Sequence, residues 1–451
     1  MMKKKYEKPV ITRIETGFMN KFGASPYYSR KIRRDIDGVP IEELVEKYGS
    51  PLFVISERRL RENYRRIYNA FATRYPNVQF GWSYKTNYLK TVCAILHQEG
   101  AWAEVVSGFE YEKARNLGIP GDKIIFNGPY KTYDVLKRAV EEGAHINIDH
   151  MDELIDLERI AEELGRTLRV AIRLNMDTGI YPHWDRFGFN LESGQAHDAV
   201  KRMVWGGKLK LVGLHAHIGT FILEPEAYAR AVEKMVKFGY EMEDTYGFKI
   251  EYIDIGGGFP SHIKLKGTYL PPDVAIPSIE EYAEKITSAL YRNLKPGDFP
   301  KLILESGRAI VDEAEFLITT VIASKRLADG KKAYIVDAGV NLLFTAFWYK
   351  FNIEIDREVK GMNELSAIYG PLCMNIDVLD DAIMLPPLER GTRLIFSPVG
   401  AYNNTQWMQF IEYRPNVVIV TEEGDVYLVR EKEDLAYIEE KERLPEKFRL
   451  E

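Results

Sequence analysis

Six places along the 451-residue chain put chemically useful residues at the end of an apolar run or in a turn. Lys85 closes the stretch FGWSY. Burial disfavours an ammonium charge, and a desolvated amine is a good Schiff-base nucleophile. The plain alternative is a lysine whose stem lies along the surface with its head in water. His215 and His217 stand two apart in LVGLHAHIG, so alternation groups them with Gly213 and sets Val212, Leu214, Ala216 and Ile218 on the other face. With the apolar face against helices, both rings point inward. There they can ligate a metal, stack on a heteroaromatic ring, or simply be satisfied within the core. Gly256-Gly257-Gly258 follows YIDI and would let backbone N–H groups approach an anion, although glycine-rich turns after strands are common. Glu305 follows KLIL on the face of Ile303, pointing inward, and needs a cationic or hydrogen-bonding partner such as a protonated heterocyclic nitrogen. Arg308 follows it as either an anion binder or that glutamate's partner. Cys373, in the turn GPLCMNID, is either an inert packing thiol or a proton donor or nucleophile.

The elements that must position these residues repeat with some regularity. After LFVIS, the residues Leu60, Tyr64, Ile67 and Phe71 recur at helical spacing. Then FGWSYK, WAEVV, KIIFNG, HINID, LRVAIRLN, LKLVGLHAHIG, YIDIGGG and KLILESG follow as eight candidate strands between Phe80 and Gly307, most separated by amphipathic helical stretches. Such alternation argues for a parallel sheet covered by helices, and eight units suit an α/β fold closed into a (β/α)8 TIM-type barrel. Active residues in such barrels sit where strands end, which is where these candidates fall. Beyond Arg308 the texture turns β-rich, in FLITTVIASKR, KKAYIVDAGV, TRLIFSPVG, NVVIVTEEGD and VYLVRE, with E-E-G-D reading as a hairpin turn. The expected organisation is an N-terminal extension over 1–37, a leading segment over 38–56 joining the β domain, a barrel over 57–307 and a C-terminal mostly-β domain over 308–451.

Bulk properties narrow the class. A net charge of −6 argues against a nucleic-acid partner. No apolar run is long enough to span a bilayer, and the basic N-terminal residues lack the apolar stretch of a signal peptide. Two cysteines, Cys93 and Cys373, exclude a disulfide framework and fit a cytoplasmic location.

Taken in order, Ser83-Tyr84-Lys85-Thr86-Asn87, His215-Ala216-His217-Ile218-Gly219-Thr220, Gly256-Gly257-Gly258, Glu305-Ser306-Gly307-Arg308, Cys373 and Gly400-Ala401-Tyr402 resemble the fold-type III pyridoxal-phosphate decarboxylases, which include the diaminopimelate and ornithine decarboxylases. The likeness runs from about Pro51 to Leu428 and implies the alanine-racemase-like barrel with a β domain. By that resemblance the cofactor is pyridoxal 5'-phosphate, bonded to Lys85. His217 stacks on its ring, Thr220, the three glycines, Arg308 and Tyr402 serve its phosphate, and Glu305 meets its ring nitrogen. A carboxylate there keeps the nitrogen protonated, which favours decarboxylation over the racemisation of relatives that carry arginine. The resemblance also implies a homodimer with shared active sites, in which Cys373 reaches across as proton donor, and places Tyr349 and Asp377 near the substrate.

The departures bear on substrate. Diaminopimelate decarboxylases carry a glutamate after the cysteine, where this chain has Met374, and ornithine decarboxylases an aspartate. The arginine that reads the distal carboxylate falls on Thr345, and the ornithine enzymes' nearby aspartate on Ala338. A buried substrate charge without its partner is costly, so a different, modified or carrier-linked amino acid is expected. The alternative is a genuine meso-diaminopimelate decarboxylase of lysine biosynthesis in which another residue, such as Arg186, replaces the missing readers. A metal-dependent barrel hydrolase built on His215 and His217, or a non-catalytic cofactor-binding homologue, are the readings of another class.

Overall fold

The structure, a computed structural model, describes residues 31–450. The expected N-terminal extension lies, up to residue 30, outside the described residues. The first core strand, β1 (Leu52–Ser56), is wholly buried and is followed at once by helix α1 (Glu57–Ala72). Ser56 ends the strand and caps the helix, its hydroxyl accepting from the Arg59 N–H, while Leu60, Tyr64, Ile67 and Phe71 form the buried stripe of α1.

Eight strands then follow: β2 (Val78–Ser83), β3 (Trp102–Val105), β4 (Ile124–Phe126), β5 (His145–Ile148), β6 (Leu168–Asn175), β7 (Leu209–Ala216), β8 (Tyr252–Asp254) and β9 (Lys301–Leu304). Each pairs in parallel with the next, and β9 pairs back onto β2, closing the barrel. Helices cover the outside. One (Met151–Leu164) stops at Gly165 in the left-handed conformation that glycine takes without strain.

Parity along the strands sorts the side chains into layers. Ile125, Ala171, Val212, Tyr252 and Ile303 form an apolar layer inside the barrel, with Trp102 packed beside it. Two residues further along stand Glu104, Asn127, Asp254 and Glu305, and three past Val212 stands His215, all buried. Val212 departs from the expected alternation. The β6–β7 register shifts between Leu211 and Gly213, and this irregularity turns Val212 into the barrel while Leu214 still meets the helices.

The second layer of the molecule is a β sheet in the order Val378–Leu385, Glu364–Tyr369, Lys332–Val336, Glu315–Arg326, β1, Val417–Val420, Val426–Arg430. Arg393–Ser397 also pairs with Glu315–Arg326. Strand β1 runs antiparallel to Glu315–Arg326 and parallel to Val417–Val420, so the segment ahead of the barrel is built into the distant sheet. The last two strands form a hairpin across Glu422-Glu423-Gly424-Asp425, with Gly424 at φ 91°. Among the described residues no helix is long and apolar enough to cross a membrane.

Candidate active site at the barrel mouth

Strand β2 ends at Ser83, and one tight helical turn (Tyr84–Thr86) lifts Lys85 over the C-terminal mouth of the barrel. Its Nζ lies 2.6 Å from Glu104 Oε2. The pair follows from strand register, since Ser83 stands beside Glu104 on β3. Burial lowers the affinity of Lys85 for its proton, but the charges of Glu104, Tyr402 and Glu305 outweigh it and hold the amine above the usual lysine range. In this state Lys85 is an ammonium ion.

Below it runs a buried polar network. Asn127 Nδ2 donates to Glu104 Oε1 at 3.0 Å and also to Glu305, and Asn147 Nδ2 donates to Asn127 Oδ1 at 2.7 Å. His215 Nε2 is 3.4 Å from Glu305 Oε2. Asp254 and Glu305 face each other. Burial raises both, but His215 and Lys85 hold Glu305 ionised, far below the usual carboxylate range, while its negative charge drives Asp254 to the protonated form. Ligand atoms of His215, Asp254 and Glu305 lie within 4.8 Å of one another, so the cluster that could hold a cation pairs His215 with carboxylates and leaves His217 out.

His217 stands just past the end of β7. Its Nδ1 accepts the Gly257 N–H at 3.1 Å, which leaves any ring proton on Nε2. Burial, then Arg173 and Lys85, push its pKa well below the usual value, so the ring is neutral. The glycines pack where no other residue fits. A Cβ on Gly256, which sits at φ 67°, would stand 2.8 Å from His217 Nδ1, and one on Gly257 would stand 2.2 Å from the Glu305 carbonyl. Thr220 is exposed on the loop beyond.

Arg308 opens a short helix, and its Nη1 bonds Asp312 at 3.2 Å. Its guanidinium lies 4.4 Å from the Tyr349 ring centre and 5.2 Å from that of Tyr402. Its Nε is buried without a partner among the described residues. A buried, unpaired donor at the rim of a glycine-lined cradle is what a phosphate oxyanion would satisfy. Pyridoxal phosphate fits these residues: an amine, a neutral flat ring, an ionised carboxylate and an orphaned guanidinium donor converge on one mouth.

The remaining candidates divide. Tyr349 is buried against Arg308 and stands 5.1 Å from Phe221 by ring centres. Thr345 is turned away, its N–H and hydroxyl both donating to Asn403 Oδ1 at 3.2 and 2.9 Å. Asp377 spends its carboxylate on the Val340 and Leu372 N–H groups, each at 2.8 Å, and so braces the loop that carries Cys373. Cys373 is exposed, Met374 is half-buried against the core, and Arg186 is exposed beside Phe187.

Several site residues escape a reading of motifs, namely Glu104, Asn127, Asp254 and a clamp from the β domain. There Tyr402 N–H bonds the Thr86 carbonyl at 2.8 Å, Thr405 Oγ1 bonds the Lys85 carbonyl at 2.8 Å, and Asn87 Nδ2 reaches Glu315 at 3.1 Å. For Glu104, Asn127 and Asp254 the missed signal is a polar residue of inward parity within the apolar stretches WAEVV, KIIFNG and YIDI.

A lysine and an acid at the ends of two neighbouring strands of a parallel barrel, joined through Glu104 and Asn127, with a β domain closing one side, fit the class of barrel enzymes that work through pyridoxal phosphate. The chain belongs to the pyridoxal-dependent decarboxylase family, whose pyridoxal binding domain matches residues 59–312. It is 32% identical over 405 residues to the diaminopimelate decarboxylase of Methanothermobacter thermautotrophicus, covering 87% of this chain and 92% of that protein. The crystal structure of the Methanocaldococcus jannaschii diaminopimelate decarboxylase with L-lysine superposes with a TM-score of 0.84 at 30% identity, over 93% of this chain and 99% of that one. A lysine/ornithine decarboxylase of Vibrio vulnificus shares the fold at 23% identity and a TM-score of 0.72, over 85% of this chain and 98% of that one. This chain is therefore a pyridoxal-phosphate-dependent decarboxylase of the diaminopimelate and ornithine type.

Proposed function

We propose that Lys85 holds the cofactor, that His217 covers one face of its ring, that Glu305 receives its ring N–H, and that Arg308, Tyr402, Thr220 and the three glycines serve its phosphate. The observation that carries this reading is the geometry of the mouth: Lys85 Nζ lies 2.6 Å from Glu104, and Asn127 donates to both Glu104 and Glu305, tying the amine and the acid into one polar network. When bound, pyridoxal phosphate takes up the electron pair left by the departing carboxylate. The residues do the rest. Glu305, kept charged by His215, holds a proton on the ring nitrogen side. Lys85 must surrender a proton before it can act as a nucleophile, and Glu104, 2.6 Å away, is the group placed to receive it. Neutral His217 excludes water from the ring face. The partner subunit's Cys373 returns a proton to the substrate carbon in a homodimer, which accords with its exposure in the single chain.

The substrate we infer is an amino acid whose distal end is not read by a buried charge: a modified or carrier-linked relative of diaminopimelate. Thr345 supports this, because both its donors are committed to Asn403, and Met374 offers no charge. Similarity to named diaminopimelate decarboxylases favours the second reading, free meso-diaminopimelate. Measuring CO2 release from meso-diaminopimelate, ornithine, lysine and carrier-bound amino acids separates the two. Turnover of free meso-diaminopimelate at ordinary enzymatic rates of about 1–10³ per second would discard the altered pocket.

A further inference from the structure

The N-terminal mouth of the barrel, at the end away from Lys85, opens into a cavity of about 270 Å³. That end of a barrel ordinarily holds packing residues, and a cavity this size approaches those that accept small ligands. Its floor comes from the apolar layer: Tyr252 lies across Gly213, where a Cβ would stand 2.2 Å from the phenol ring, and Val212 and Ile303 close the sides. His145 stacks on Trp102 with ring centres 5.0 Å apart, and Tyr252 meets His145 edge-on at 5.6 Å.

Polar groups are set into these apolar walls without partners. The Lys301 ammonium sits 4.5 Å from the Trp102 ring centre and makes no hydrogen bond or ion pair with any described residue. The Tyr252 hydroxyl, on a side chain that is almost wholly buried, likewise has no hydrogen bond among the described residues. His145 Nε2 donates to the Asp122 carbonyl at 3.1 Å, which leaves Nδ1 as a bare acceptor. Around the opening, Arg166, Arg169 and Lys301 face a single carboxylate, Glu251, which is itself spent on Arg169. A cavity with an aromatic and aliphatic floor, a polar rim, an ammonium and a phenol without hydrogen bonds among the described residues, and an excess of positive charge has the chemistry of a receptor for an organic anion.

We propose that this cavity is a second ligand site, taking a small carboxylate with a planar apolar body. The carboxylate lies between Lys301 and the Tyr252 hydroxyl, and the body lies against the aromatic and aliphatic floor. None of these residues belongs to the site at the other mouth.

Titration calorimetry of the cofactor-loaded enzyme with benzoate, acetate and inorganic phosphate tests this. Benzoate should bind saturably at one per chain, at least about tenfold tighter than acetate or phosphate. Lys301→Met should weaken it about tenfold or more, and Tyr252→Phe by a smaller factor, in protein whose decarboxylation rate shows it to be folded. Absence of saturable benzoate binding would overturn the proposal. So would binding that both variants leave unchanged, which would place benzoate at the other mouth. Phosphate binding as tightly as benzoate would overturn the assignment to a carboxylate.

Discussion

Lys85 and Arg308 make the sharpest statements at the scale of single residues. Borohydride reduction of the cofactor-loaded enzyme followed by peptide mass mapping should find the added mass on Lys85. Lys85→Ala should abolish the visible cofactor absorbance and lower kcat by at least about 10²-fold, the range of a lost acid–base group. Arg308→Ala removes a buried charged donor that is left unpaired among the described residues at the phosphate end. Charge-assisted hydrogen bonds are worth about 1.5–3 kcal/mol, so equilibrium dialysis should show cofactor affinity falling roughly 10- to 100-fold. An unchanged affinity would remove Arg308 from the phosphate site. At this scale the sequence was informative wherever strand parity alone decides direction, as for Glu305 beside Ile303. It did not join Glu104 to Lys85, because parity shows that the carboxylate points inward but only the Ser83–Glu104 register brings it to that amine.

Among the elements, the joint between barrel and β sheet is the most telling. Glu315, at the start of its strand, is buried between Asn87, from the Lys85 segment, and Asn404, from the clamp. Burial pushes its carboxyl up from 4.5 to about 8, with the Asn404 and Asn87 donors opposing and Asp312 adding repulsion. Between those two values the folded chain binds more protons at this site than the unfolded one. Its contribution to stability is therefore full below the lower value and is lost as pH rises through the upper one. Glu315→Gln, always neutral, should flatten that decline. Relative to the native protein it should gain roughly 3 to 4 kcal/mol between pH 5 and pH 8, read from urea unfolding at the two pH values. An equal difference at both would show that Glu315 does not titrate there. The joint was illegible in sequence because its partners are about 230 and 90 residues apart, whereas the eight barrel strands announced themselves through local periodicity. Val212 shows the limit of periodicity: one register shift inverted its side.

In the whole molecule as proposed, the exposed Cys373 of one chain serves the half-buried Lys85 of another. Asp377 pins that loop rigidly, as a presented element requires. If the site is shared, mixing Lys85→Ala and Cys373→Ala chains should restore activity to about a quarter of the native value, because random pairing leaves one intact site in half of the dimers. No recovery would place each site within one chain. Lys85 and Glu305 must grip one ring for this enzyme to work as proposed, and a crystal structure of the cofactor-loaded enzyme tests that directly. It should show continuous density from Lys85 Nζ to the cofactor and a Glu305 oxygen within hydrogen-bond distance of the ring nitrogen. A cofactor joined to another lysine, or a ring nitrogen facing away from Glu305, would contradict it.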